Sequence, residues 1–348
     1  MIHTLTDLGR PPETLASLPE AHVLTRVVAD HGTRYHVHCE SGRRSAWLPP
    51  TVRLPDDGPQ RPAIGDWVVI DPRGDEPVFI TGIVPRTTEL ARQATGLATA
   101  KQVIAANVDR VLVVASMNKD LNVSRLERLV AAVEASGAQP VVVIHKADLD
   151  PTGERRIRAR LGALVDLVDV VFTSVVLPDG LSPLDPYLGP GVTLALVGSS
   201  GVGKSTLVNH LLGHEAQSTQ SQRLDDDRGR HTTTARSLHV LPDGRGVLID
   251  TPGMRELALW SGDGLSAAFA DIEALAERCQ YRSCNHDGDF GCAIEAALAS
   301  GELDARRWEN HLKLEREAAY HARRAAGTER QRGRSFAKYV RSLKKEVW

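Results

Sequence analysis

Residues 194–206 read "LALVGSSGVGKST", and this stretch limits the chain more than any other. An apolar run leads into Gly198-x4-Gly203-Lys204-Ser205. The helical pattern "TLVNHLLG" then follows and is closed by Gly213. Strand, glycine-rich turn and helix in that order are the makings of a phosphate loop. The glycines allow the backbone N–H groups of Gly198, Ser199, Ser200, Gly201, Val202 and Gly203 to turn inward around a β-phosphate at a helix N-terminus. Lys204 reaches the β/γ oxygens, the Ser205 hydroxyl ligates Mg²⁺, and Thr206 opens the helix. The segment therefore predicts an α/β domain with a parallel sheet.

Four further segments complete a nucleotide site. "DTPG" at 250–253 ends the apolar strand "GVLI", which puts Asp250 where a carboxylate holds Mg²⁺ and Gly253 where an amide senses a γ-phosphate. "GRHTTT" at 229–234 lies between the phosphate loop and "DTPG" and supplies a threonine, taken as Thr233, to Mg²⁺ and γ-phosphate. "HKAD" at 145–148 follows the strand "VVVI". Asp148 can accept two hydrogen bonds from guanine N1 and N2, Lys146 can lie along the base plane, and Ala147 connects them. His145 stands where asparagine is usual. Ser174, after "VVF", can add a backbone contact to the guanine oxygen. The residue after "DTPG" is Met254, which cannot orient a water, so His231 in "GRHTTT" is the nearest candidate for that task.

In ordinary Ras-like GTPases the base-reading motif follows the phosphate loop, whereas here "HKAD" precedes it. All these loops belong at the carboxyl ends of parallel strands, so the site survives a change in the order of visiting them, provided the original termini lay close enough to join. The pattern predicts a circularly permuted domain whose γ-phosphate-sensing strand runs straight into the C-terminal region.

That region carries "CQYRSCNHDGDFGC", or Cys279-x4-Cys284-x-His286-x5-Cys292. Three thiolates and an imidazole make a closed tetrahedral set for structural zinc and leave no position for a catalytic water. Cys39 stands alone and reads as a core thiol. At the other end, residues 22–90 hold short β-like runs, "HVLTRVVA", "TRYHVHCE", "GDWVVID" and "PVFITGIV", with Tyr35, Val37 and Cys39 alternating against polar neighbours. Closely spaced strands of this kind predict a small barrel of oligonucleotide-binding (OB) type. Residues 1–100 have ten Arg and no Lys against twelve acidic residues, so any grip on RNA would be local, through Arg43, Arg44 and Trp47. "VPRTTELARQATGLATAKQ" reads as a linker. Ser124 and Glu127 read as a capping box ahead of a helix with Leu126, Leu129, Val130 and Val133 on one face.

The expected division is 1–91 OB-type β-barrel, 92–262 permuted α/β P-loop domain, and 263–348 helical zinc-binding domain with a basic tail. A formal net charge of −2 is uninformative alone, but residues 321–348 gather nine Lys or Arg against two acidic residues, which suits a phosphate backbone. The opening "MIHTLTDLGR" lacks the features of a signal peptide and no run is apolar enough to span a bilayer, so a cytoplasmic protein without a membrane partner is expected. A monomer is the default expectation.

Taken together, barrel with "GDWV", "HKAD" ahead of "GSSGVGKST", "GRHTTT", "DTPG", the cysteine cluster and "RGRSFAKYVR", the sequence resembles the ribosome small-subunit-dependent GTPase A family (RsgA, also called YjeQ) over nearly its whole length. The resemblance implies a GTP hydrolase stimulated by the small (30S) ribosomal subunit, bound to 16S rRNA and acting late in assembly, with GTP/GDP, magnesium and one structural zinc. It also suggests His231 as the residue serving hydrolysis. Two other classes stay open on the residues alone, a P-loop ATPase or small-molecule kinase, and an RNA-binding zinc module with a merely structural nucleotide site. Asp148 and "DTPG" speak against the first. An intact Lys204, Ser205 and Asp250 speak against the second.

Overall fold

A computed structural model gives the fold and describes residues 4–12, 22–52, 61–73, 76–93, 101–117, 121–213, 237–250, 257 and 263–323. The N-terminal part is a five-stranded circuit of β1 (Val23–Asp30), β2 (Arg34–Cys39), β3 (Gly42–Trp47), β4 (Trp67–Asp71) and β5 (Val78–Ile83). β1 pairs with both β2 and β4, β2 with β3, and β4 with β5, and the parallel pair β3–β5 closes the ring at Ala46↔Val78. Along β2 inward positions alternate with outward ones. Tyr35, Val37 and Cys39 are all buried, and Tyr35 and Val37 pack the interior with Val27, Ala46, Val68, Ile70, Val78 and Ile80. The expected OB-type barrel is thus present. β3, "GRRSAW", has no apolar alternation to announce it; Ala46 is its one buried residue.

The stretch read as a linker contains a two-stranded ribbon, β6 (Glu89–Gln93) against β7 (Lys101–Ala106). Its alternation is masked in sequence by Arg92 and Gln93, whose backbone is held by the partner strand. Beyond it, β8 (Arg110–Ser116), β9 (Gln139–His145), β10 (Asp169–Thr173), β11 (Thr193–Gly198) and β13 (Val247–Asp250) form a parallel sheet in the order β10-β9-β8-β11-β13, with β12 (Ser237–Val240) antiparallel to β13. β11 is buried along its whole length and β8 nearly so, as central parallel strands covered on both faces must be. One face is packed by α1 (Val123–Glu134), the other by α4 (Lys204–Leu212). α2 (Glu154–Leu161) and α3 (Leu164–Leu167) lie between β9 and β10 in the chain.

The capping box is not formed. Asn122 caps α1, its Oδ1 accepting from Arg125 N at 2.9 Å, so Ser124 lies inside the first turn. Glu127 faces inward instead of back to the cap, because cations from the C-terminal helices claim it. Those helices are α5 (Asp263–Ala268), α6 (Ala270–Ala276), α7 (Ala293–Ser300) and α8, residues 305–323. α5 meets α1 so closely that a Cβ at Gly264 would sit 2.0 Å from the Ala131 carbonyl oxygen. Phe269, Ile272, Leu275, Ile294 and Leu314 share one core with α1.

β12 also pairs with β1, at Ala29↔Ser237, so the barrel and the α/β part share one eleven-stranded sheet. The junction is pinned by Arg26, fully buried. Its Nε donates to Gly65 O (3.1 Å), Nη1 to Thr193 Oγ1 (2.9 Å) and to Leu8 O, and Nη2 to Asn107 O (2.9 Å). Burial lowers its pKa to about 10, so it remains charged at neutral pH, while its plane lies 5.2 Å from the Trp67 ring. Nearby, the Asp66 carboxylate of "GDWV" is paired with Arg86 at 2.7 Å, both side chains buried. No described helix is long and apolar enough to cross a membrane.

Candidate functional site

The phosphate loop begins where β11 ends. Gly198 has φ 146°, and a Cβ there would lie 2.2 Å from Val114 O on the neighbouring strand, so only glycine lets the chain leave the sheet at this point. Gly203, at φ 101°, sits at the N-terminus of α4, and Ser205 and Thr206 follow in the first turn. Lys204 folds back over the loop, Nζ donating to Gly198 O at 2.8 Å and to Ser199 O at 2.5 Å. The ammonium group is thereby stationed at the mouth of the anion cradle formed by the loop amides and the helix N-terminus. Asp250, half-buried, is the last residue of β13, the strand beside β11.

β9 delivers the second part. His145 is buried at its end, with Nδ1 3.0 Å from Thr173 Oγ1 on β10, and these two residues are register partners. Burial, aided by the neighbouring Lys146 charge, pushes its pKa down to about 4, so the ring is neutral. A Cβ on Gly203 would stand 2.5 Å from His145 Cδ2; the imidazole therefore lies directly against the phosphate loop. Lys146 takes a left-handed conformation (φ 60°) and its Nζ donates to Gly201 O at 2.9 Å, laying its stem across the same loop. The short turn Ala147–Leu149 then presents Asp148. Asp148 Oδ1 accepts from Ser174 Oγ at 2.5 Å; Ser174 N donates to Gly180 O at 2.9 Å and Val176 N to Ser174 Oγ at 3.1 Å.

His145, Lys146, Ala147, Asp148, Ser174 and the 198–206 segment thus converge at the carboxyl ends of β9, β10 and β11. His231, Thr233 and Gly253 lie outside the described residues, as do Met254 and the basic end from residue 324. Two participants had escaped the reading of the sequence. Thr173 is the hydroxyl that fixes the His145 ring, and its position just before Ser174 on an apolar strand was the available signal. Gly180 closes the Ser174 loop, where a Cβ would come within 2.3 Å of Ser174 O; "PDG" is a turn signal that could have placed it.

The second site is in the C-terminal helices. Cys279, Cys284, His286 and Cys292 bring their ligand atoms within 4.8 Å of one another, a group that could hold a metal ion. Backbone amides point at the sulfurs, Ala293 N to Cys279 Sγ at 3.3 Å and Glu295 N to Cys292 Sγ at 3.5 Å, as expected where thiolate charge must be stabilised. Trp308 meets the His286 ring edge-on at 5.8 Å.

Residues 83–260 match the family model described as RsgA GTPase. The chain is 41% identical over 325 residues to the small ribosomal subunit biogenesis GTPase RsgA 2 of Vibrio vulnificus (strain CMCP6), an alignment covering 92% of this chain and 89% of the relative. Among solved structures it is similar to YloQ, described as a circularly permuted GTPase, with TM-score 0.61 and 25% identity over 89% of this chain and 98% of that one. It is likewise similar to YjeQ from Thermotoga maritima, with TM-score 0.63 and 25% identity over 86% and 99%. With the phosphate loop, the "HKAD" loop placed ahead of it in the chain, the barrel and the cysteine cluster all in position, the chain belongs to the RsgA GTPase family.

Proposed function

We propose that this protein hydrolyses GTP to GDP and phosphate while bound to the small ribosomal subunit, and that it serves the late assembly of that particle. The observation that carries the nucleotide reading is the convergence of Asp148, held by Ser174, with a phosphate loop that Lys146 and His145 touch directly. A carboxylate on the loop beside an anion cradle selects a purine with donors at N1 and N2. Lys204 neutralises the β/γ oxygens; Ser205, Asp250 and Thr233 hold Mg²⁺; Gly253 senses the γ-phosphate. His231 orients the attacking water.

Zinc is the metal we assign to the cysteine cluster. With Zn–S of about 2.3 Å and Zn–N of about 2.0–2.1 Å, a tetrahedron has S···N edges of about 3.6 Å. His286 Nδ1 stands 3.6 Å from Cys279 Sγ and 3.5 Å from Cys292 Sγ, which supports the assignment. Four protein ligands leave its role structural. The three-part division at residues 91/92 and 262/263 belongs to this reading, as do a cytoplasmic location and a monomeric state.

RNA is the partner class that the barrel surface favours. On the outward face of β2, β3 and β5, Trp47 and Phe79 are exposed register partners with rings 5.9 Å apart; Arg34 lies opposite Trp47, and Arg43 opposite His38. Aromatic faces next to guanidinium groups stack bases and pair phosphates. The basic end from residue 321 adds a second cationic arm.

The test is to measure GTP turnover with and without purified small subunits, and subunit binding with GDP and with a non-hydrolysable GTP analogue. Stimulated turnover and tighter binding in the analogue state are expected. By linkage, a subunit preferring the GTP form must raise GTP affinity relative to GDP by the same factor. Indifference of both quantities to the partner would remove the ribosomal role.

A further inference from the structure

The loop that carries the cysteine cluster also carries two aromatic side chains outside the ligand set. Phe290 is 82% exposed, the most of any large apolar side chain among the described residues, and Tyr281 is 53% exposed. Gln280 N donates to Gly291 O at 3.2 Å, and the next residues inward along the loop from that rung are Tyr281 and Phe290. The loop between them is braced by its own side chains: Asn285 N donates to Asp289 Oδ2 and Gly288 N to Glu295 Oε1, both at 2.6 Å. Rings presented on a braced loop lose little freedom when a partner covers them.

The charge around these rings decides what that partner is. Residues 277–304 hold six carboxylates, Glu277, Asp287, Asp289, Glu295, Glu302 and Asp304, against two cations, Arg278 and Arg282. Arg278 is already paired with Glu302 at 3.3 Å. A surface of this sign repels a phosphate backbone. The barrel face is its opposite, since there Arg34 lies across from Trp47. Exposed aromatic side chains set among carboxylates complement a basic protein surface with an apolar pocket.

We propose that this loop is a protein-docking knob, in which Phe290 and Tyr281 enter an apolar pocket on a basic protein while the exposed Asp287 faces its cations. The proposal rests on the ribosomal reading, which makes the partner a basic protein of the small subunit and not its RNA. Two surfaces of opposite charge then divide the contact, the barrel taking nucleic acid and the cysteine loop taking protein.

The experiment uses the full-length protein with purified small subunits and, in parallel, with the rRNA extracted from them, both in the presence of a non-hydrolysable GTP analogue. Phe290→Ala is expected to weaken subunit binding at least tenfold and Asp287→Lys severalfold, with no loss of affinity for the extracted RNA in either variant. Metal content and analogue affinity, measured in the same samples, tell loss of the contact from loss of the loop. A photoreactive phenylalanine analogue in place of Phe290 is expected to cross-link to protein in the subunit, a readout that does not depend on either variant. A cross-link to RNA, or to the chain's own basic end, would overturn the proposal. Subunit affinities unchanged in both variants would overturn it as well. A parent chain that does not bind small subunits fails the ribosomal reading, and is distinguished from the other outcomes by the parent titration itself.

Discussion

Glu127 and Arg307, 180 residues apart in sequence, form a buried ion pair with Oε1 2.9 Å from Nη1. Neither side chain is more than 3% exposed. Arg306 donates to both oxygens of Glu127 (3.0 and 3.2 Å), Asn310 Nδ2 to Oε2 (2.6 Å), and Arg307 also reaches Asp271 at 2.5 Å while its plane covers Phe269 at 4.6 Å. An acid on the first α/β helix is thereby the anchor for the helices that carry the cysteine cluster.

Removing the cation should expose how much that anchor contributes. Arg307→Ala leaves Glu127 and Asp271 short of a charge partner and is expected to cost about 3–5 kcal/mol, the usual penalty for breaking a buried pair. Urea unfolding followed by far-ultraviolet circular dichroism measures it; a loss below 1 kcal/mol would mean that Arg306 compensates fully.

His145 should make stability sensitive to acid. Its folded-state pKa is about 4, against about 6.5 in an unfolded chain. Between these values the unfolded state takes a proton that the folded state refuses, so stability falls as pH drops from 6.5 toward 4 and levels off below. The difference in urea midpoint between the parent protein and His145→Asn should narrow across that window; a constant difference would show that the ring titrates alike in both states.

Asp148→Asn removes the acceptor pair for guanine N1 and N2. GTP binding should weaken by about 1–3 kcal/mol, with ATP affinity little altered, because the loss comes from polar edges left unpaired. Competition titrations with GTP, GDP and ATP against a fluorescent guanine nucleotide decide it. If the parent chain binds ATP as tightly as GTP, the base-reading role is wrong.

Elemental analysis should find one zinc per chain. Cys284→Ser, or prolonged chelation, should lose the metal together with helical signal from the C-terminal region, since binding energy at a closed site is folding energy. Guanine-nucleotide binding by the remaining α/β part, measured in the same samples, tells local collapse from general unfolding.

The phosphate loop, the "HKAD" loop and the cysteine cluster were legible in the sequence as local patterns, because each rests on local chemistry. Gly198 and Gly203 are needed by a backbone turn, Lys204 folds back over that turn, and Cys279, Cys284, His286 and Cys292 form a group that could hold a metal, all within short spans. The barrel was legible through Tyr35, Val37 and Cys39, and its third strand was not, since "GRRSAW" is placed by its neighbours on both sides rather than by any pattern of its own. Glu127 looked like a surface acid completing a cap. What buries it comes from residues 306–310, a separation over which no local rule speaks.

Ala29, Ser237 and Asp250 stand in one row across β1, β12 and β13. With neighbouring strands about 4.8 Å apart, some ten ångströms of hydrogen-bonded backbone separate the barrel from Asp250. A load that tilts the barrel would act on β12 through this pairing, and β12 in turn is paired along its length with the strand ending at Asp250. A barrel hung on a linker could search for its target freely but would report nothing on finding it. Here the barrel is instead joined to the sheet through the backbone pairing of Ala29 with Ser237, two strands from Asp250.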